Sequence, residues 1–169
     1  MKFYKDKKGH VFAYESDGSQ DGFIPSDQTQ ITETEANALR NPPLTVAQAQ
    51  QAQLAIVGAA CAAAITGGFQ SSALGKAYTY PSTQNDQANL NANVVSSLLP
   101  GLPANWTTLQ ICGDTNGKWG YMPHTAAQIQ QVGTDGKAAI LGCLTKNAGL
   151  QAQIAAATTV AAVQSINWS

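Results

Sequence analysis

Beyond residue 44 this chain has very few ionised side chains to place on a surface. Lys76, Lys118, Lys137 and Lys146 stand against Asp86, Asp114 and Asp135, and much of the remaining body is Ala, Gln, Asn, Ser and Thr. Soluble proteins average about 25% charged residues, and the whole chain holds 11%. Such a body either lets amides and hydroxyls solvate its surface or has that surface covered by a partner or a second copy. The other charges crowd residues 1–44, where Lys2, Lys5, Lys7, Lys8 and Arg40 face Asp6, Glu15, Asp17, Asp21, Asp27, Glu33 and Glu35. A formal net charge of -1 gives no general pull towards nucleic acid or anionic membrane.

The 169 residues suffice for one ordinary domain, or for a small module and a larger one, without disulfides or metals. Cys61, Cys112 and Cys143 are an odd set with no paired spacing, which predicts reduced, buried thiols rather than a secreted disulfide scaffold. MKFYKDKKGH is basic, but no apolar signal core follows it. The most apolar run, Leu54–Phe69, falls short of the roughly 20 apolar residues of a membrane span. It is expected as a buried helix.

The pattern predicts an α+β fold: a small N-terminal β-hairpin or meander module, residues 1–44, and a mainly helical domain, residues 45–169. KFYK and HVFAYE read as strands around a DKKG turn. Alternation puts Phe3 and Lys5 on one face and Tyr4 on the other, and sets Val11 and Ala13 against Phe12 and Tyr14. GFI is expected as a third strand. Thr32 with Glu35 fits a capping box for a short helix, which Pro42 and Pro43 stop. A long helix is expected from Thr45 to Gly67-Gly68, with Val46, Leu54, Val57, Cys61 and Ile65 on one face and Gln50 interrupting it. KAYTYP reads as a strand. A helix capped by Ser82 or Thr83 follows, with Leu90, Val94, Leu98 and Leu99 inward. WTTLQIC and KWGYM around GDTNG signal a hairpin at about 106–121. A second long helix opens at His124-Thr125, with a bend or break expected at Gly133–Gly136. Trp168 is expected to anchor the end.

Cys112, Asp114 and His124 are the one cluster suggesting nucleophile, orienter and base. They lack a nucleophile elbow, and three mixed ligands lack the paired spacing of a zinc site. A plainer reading accounts for each residue. Asp114, Asn116 and Gly117 form a tight turn, Trp119 and Tyr121 lie on a half-buried strand, Thr125 or His124 caps a helix, and Cys112 is a small buried hydrophobe. The expectation is a non-enzyme with no catalytic, metal or cofactor residue. No glycine-rich phosphate loop or basic aromatic stripe is present.

Several stretches resemble a known family: AYTYPSTQNDQANLNANV (Ala77–Val94), Trp106 and Asp114 ahead of Trp119, the HTAAQI helix start, and LQAQIAAATTVAAVQSINW (Leu150–Trp168). Residues 46–168 look like a domain of unknown function that recurs in phage tail-fibre and tail-fibre-assembly proteins. The first 44 residues are similar to the N-terminal part of phage tail-fibre assembly chaperones. The resemblance implies a non-enzymatic helper that binds the distal, C-terminal end of a trimeric tail fibre and promotes its trimerisation, in the bacterial host cytoplasm. The alternative is a fibre tip or cap that stays on the virion and contacts the host receptor. The partner is then the fibre, with a second copy of this chain as a further partner, and neither nucleic acid binding nor membrane insertion is expected. Aromatics dominate interface energy, so Phe3, Tyr4, Phe12, Tyr14 and Phe23 are the expected partner-binding residues.

Overall fold

Three threonines set where helices begin. Thr32, Thr83 and Thr125 each accept a hydrogen bond from the backbone N–H three residues on, while Glu35, Asp86 and Gln128 reach back to the threonine N–H groups. This reciprocal pairing satisfies donors that a helix start leaves open. The helices they start are α1 (Glu33–Arg40), α3 (Gln84–Ser96) and α4 (Ala126–Ala156); α2 (Val46–Thr66) and α5 (Val160–Gln164) complete the set. The computed structural model describes residues 1–169. It has the expected α+β fold, in two compact units, Met1–Thr45 and Val46–Ser169.

In the first unit β1 (Lys2–Lys5) lies between β2 (Val11–Tyr14) and β3 (Thr29–Ile31), both antiparallel to it. The third strand is therefore Thr29–Ile31 and not the expected GFI segment. Asp21–Phe23 instead forms a single 3-10 turn, closed by Phe23 N–H on the Gln20 carbonyl at 2.9 Å. Lys2 holds that turn against the sheet with Nζ 2.6 and 2.7 Å from the two Asp21 carboxylate oxygens.

The second unit has a four-stranded antiparallel sheet ordered β4 (Phe69–Ser71), β5 (Tyr78–Tyr80), β6 (Thr107–Gly113), β7 (Trp119–Thr125). Phe69, Tyr80, Leu90, Cys112, Ile129 and Val132 form one core between this sheet, α3 and the start of α4. Ala49, Val57, Ile154 and Val163 form another, between α2, the end of α4 and α5. Gln50 Nε2 donates to the Ile154 carbonyl at 3.0 Å, and the Cys61 thiol to the Cys143 carbonyl at 3.6 Å, so α2 and α4 run antiparallel. Gln50 does interrupt an apolar face, but it serves carbonyls that the end of α4 leaves free, Ala157 among them at 3.1 Å.

Helix α4 runs unbroken for 31 residues through the expected bend. Gly133 and Gly136 are there for space rather than flexibility. A Cβ at Gly133 would stand 2.7 Å from Val94 Cγ2, and one at Gly136 2.8 Å from the Phe69 ring. Gly142 has nothing within 4 Å of its Cβ direction. The two sites should therefore answer alanine with opposite signs. Gly142→Ala should stabilise by about 1 kcal/mol, the helix-propensity gain. Gly136→Ala should destabilise by about 1–2 kcal/mol, because overpacking against a ring stacked on Tyr80 outweighs that gain. Urea denaturation midpoints check both.

Three expected burials fail. Helix α2 buries only Ala49, Gln53, Val57 and Cys61, so the Leu54–Phe69 run is not an enclosed helix. By length and composition α2 would qualify to cross a membrane, with a mean hydropathy of 1.2. Leu98 and Leu99 are 65% and 57% exposed because α3 ends at Ser96 before reaching them. Trp119 and Tyr121, expected half-buried, are 50% and 69% exposed. They lie on the sheet face opposite His124, and the Trp119 ring rests over Gly113, its cross-strand partner.

Candidate functional site

In the N-terminal unit, cross-strand pairs place side chains on common faces. Tyr4 is opposite Phe12, and Lys2 is opposite Tyr14. Tyr4 and Tyr14 meet edge to face at 5.5 Å, and the Tyr14 hydroxyl donates to Gln28 Oε1 at 3.0 Å. Phe3 pairs with Ala13 on one side and Ile31 on the other, on the reverse face. There the Arg40 guanidinium of α1 lies 5.2 Å from the Phe3 ring centre, and Ile31 and Ala36 are buried.

The five expected partner-binding residues thus divide. Tyr4, Phe12 and Tyr14 share the sheet face opposite α1, with Phe12 38% exposed. Phe3 is withdrawn from them onto the helix-covered face. Phe23 stands apart in the 3-10 turn, 80% exposed. Beside the aromatic face, β2 is an edge strand with one side unpaired. Lys7 and Lys8, at the β1–β2 turn, are exposed, a common protection against indiscriminate edge pairing.

Cys112 and His124 both lie against Tyr80, but Asp114 does not join them. Asp114 accepts backbone N–H groups from Asn116 and Lys118, each at 2.9 Å, and these bonds hold its carboxyl below the usual carboxylate range. His124 is fully buried and bonds through Nδ1 to the Met122 carbonyl at 2.9 Å. That bond makes Nδ1 the protonated nitrogen, so Nε2 accepts from the Tyr80 hydroxyl at 2.8 Å. Burial pushes the Cys112 thiol and the Tyr80 phenol up. A buried thiol of raised pKa stays protonated and inert. The Tyr80–His124 pair, which ties β5 to β7 across the core, has no local signal in the sequence; its members lie 44 positions apart.

Burial also pushes His124 below its ordinary value near 6.5. Below that pH the unfolded chain binds a proton that the folded chain refuses. Stability therefore falls as pH drops from about 6.5, until the lower folded value is passed. His124→Gln should flatten this limb, as read from urea midpoints between about pH 7.5 and pH 5.

A groove of about 630 Å³ lies between α3 and α4, lined by Leu90, Val94, Leu98, Gly133, Lys137 and Ile140. No three His, Cys, Asp or Glu side chains converge as metal ligands anywhere in the chain.

Residues 48–167 match the family described as Domain of unknown function (DUF4376). The chain belongs to this family. The DUF4376 match covers the sheet, the groove and the four helices of the second unit apart from the first two residues of α2, and leaves the aromatic face of the first unit outside it. No curated protein and no solved structure matches the chain.

Proposed function

We propose that the protein is a non-enzymatic assembly chaperone for a phage or phage-like tail fibre, holding the fibre's C-terminal end while its chains trimerise. The observation that carries this reading is the aromatic face of Tyr4, Phe12 and Tyr14 beside the unpaired edge of β2. Fibre chains rich in β structure fold slowly and expose strand edges as they do so. An incoming edge strand gains backbone hydrogen bonds whatever its sequence, and side-chain contacts beside it supply selectivity. The sequence resemblance to tail-fibre assembly chaperones supplies the identity of the partner. The buried, neutral Tyr80–His124–Cys112 cluster suits a protein that acts by binding, without turnover.

Co-expression with a tail-fibre protein from the same genome tests the proposal. Soluble fibre trimer should form with the wild-type chain and drop several-fold with Phe12→Ser combined with Tyr4→Ala. Fibre that trimerises equally well without the chain overturns the role. Particle composition separates a helper that leaves from a tip that stays.

A further inference from the structure

A smaller cleft, of about 330 Å³, lies between α3 and β6 in the second unit. Strand β5 meets β6 only where Thr79 faces Gly113, and further along β6 the neighbour is α3. Asp86, Asn89 and Asn93 share one face of that helix, spaced three and four apart. Asn93 ties it to the strand. Its Nδ2 donates to the Leu109 carbonyl at 3.3 Å and to Gln110 Oε1 at 3.0 Å, and its Oδ1 accepts from the Thr108 hydroxyl at 2.8 Å. Gln110 is thereby held with its oxygen used and its amide nitrogen unpaired, at 4% exposure and lining the cleft. Asn147 Oδ1 is the one enclosed side-chain polar atom without a partner, so the Gln110 nitrogen is reached from the cleft. Donors set this deep favour a ligand that accepts them in place of water.

The other wall of the cleft is aromatic. Ile111 pairs with Tyr121 and Gly113 with Trp119, all on the outer face of the sheet. Tyr121 lines the cleft, and Trp119 continues the same face two residues along β7, about 7 Å away. The Trp119 ring lies flat on Gly113, since three of its ring atoms would stand 2.9, 3.0 and 3.2 Å from a Cβ there. Any side chain at 113 would lift the ring. Half exposed, it turns its other face to solvent.

The lining selects a class of ligand. No Lys or Arg borders the cleft, so a phosphate, sulfate or carboxylate group finds no counter-charge. Its one carboxylate, Asp86, does not make a metal site. An extended peptide would have to displace Asn93 from the Leu109 carbonyl. Side-chain amides both donate and accept, as sugar hydroxyls do. Open aromatic faces carry negative potential and suit the C–H groups on the flat side of a sugar ring.

We infer that this cleft binds a neutral saccharide, with one ring held by Gln110 Nε2, Asn89 and Asp86 against Tyr121 and the next laid on Trp119. The site lies wholly in the DUF4376 unit and stands whether or not the chain assists a fibre.

Binding to an array of oligosaccharides tests it. The array holds neutral chains of glucose, galactose, mannose and N-acetylglucosamine, with sialylated and sulfated chains and adenosine beside them. The wild-type chain should retain neutral members and ignore the acidic ones. In calorimetric titration with the best neutral member, Tyr121→Ala and Trp119→Ala should each weaken binding about tenfold, and Asn89→Ala several-fold, while far-UV circular dichroism stays unchanged. Phe12→Ser with Tyr4→Ala, which removes the aromatic face of the first unit, should leave saccharide binding intact. No neutral saccharide bound at millimolar concentration overturns the inference. So does binding that survives both Tyr121→Ala and Trp119→Ala, binding confined to acidic chains, or a preference for adenosine, which would give the cleft to a nucleobase.

Discussion

Tyr80→Ala should cost about 3–5 kcal/mol, a large part of the 5–15 kcal/mol that holds a typical domain folded. Tyr80 is fully buried, stacks on Phe69 with ring centres 5.6 Å apart, and donates to His124. Removing the ring opens a cavity at the middle of the larger core, because Phe69, Cys112 and Ile129 come from three elements that cannot all close in. Tyr80→Phe keeps the ring and leaves Nε2 of His124 buried without a donor, a loss of about 1–3 kcal/mol. Tyr121→Ala, at a ring 69% exposed, should stay within about 0.5 kcal/mol. Chemical denaturation should rank the three in that order. If Tyr80→Phe matched Tyr80→Ala, the hydroxyl–imidazole bond would outweigh packing, against the argument made for this core.

Ile154→Ala is the second large effect, expected at about 2–5 kcal/mol. Its neighbours in the smaller core, Ala49, Val57 and Val163, are short side chains with little freedom to fill a void. The Ile154 carbonyl accepts from Gln50, so repacking that shifts the end of α4 also strains the bond seating α2. Helix α5 is only five residues long and depends on this core. Limited proteolysis should therefore cut Ile154→Ala at Ala157–Thr159 well before the wild-type chain. Equal cutting rates would mean that α5 is held by Gln53 and the C-terminal contacts instead.

Local chemistry was the most legible part of the sequence. Thr32 with Glu35 specifies the start of α1, and Thr83 and Thr125 start α3 and α4 as their positions before helical patterns suggest. The hairpin alternation separates Phe3 from Tyr4 correctly, because strand period alone decides faces. Which face α1 covers depends on packing, and nothing local marks Phe3 as the covered ring. Gly133 and Gly136 read as breakers, since their reason for being glycine lies on Val94 and Phe69, far away in the chain. Helix α2 misled for a different reason. Ala, Gly and Gln surround it almost evenly, so composition cannot say which side is buried, and its apolar character overstates its burial. The strands β3 and β4 hold three residues each, TQI and FQS, without the flanking tyrosines that mark the equally short β5.

The residues that looked most like chemistry, Cys112, Asp114 and His124, hold a core and a turn. The aromatic sheet face of the first unit and the exposed Trp119 and Tyr121 face of the second are surfaces that folding leaves unexplained. Hydrogen–deuterium exchange on a complex with a C-terminal fragment of the tail fibre would compare them directly. Fibre binding should slow exchange at backbone amides of residues 2–14 and leave residues 107–125 unchanged. Slowed exchange confined to residues 107–125, with β1 and β2 exchanging as in the free chain, would contradict docking on the aromatic face.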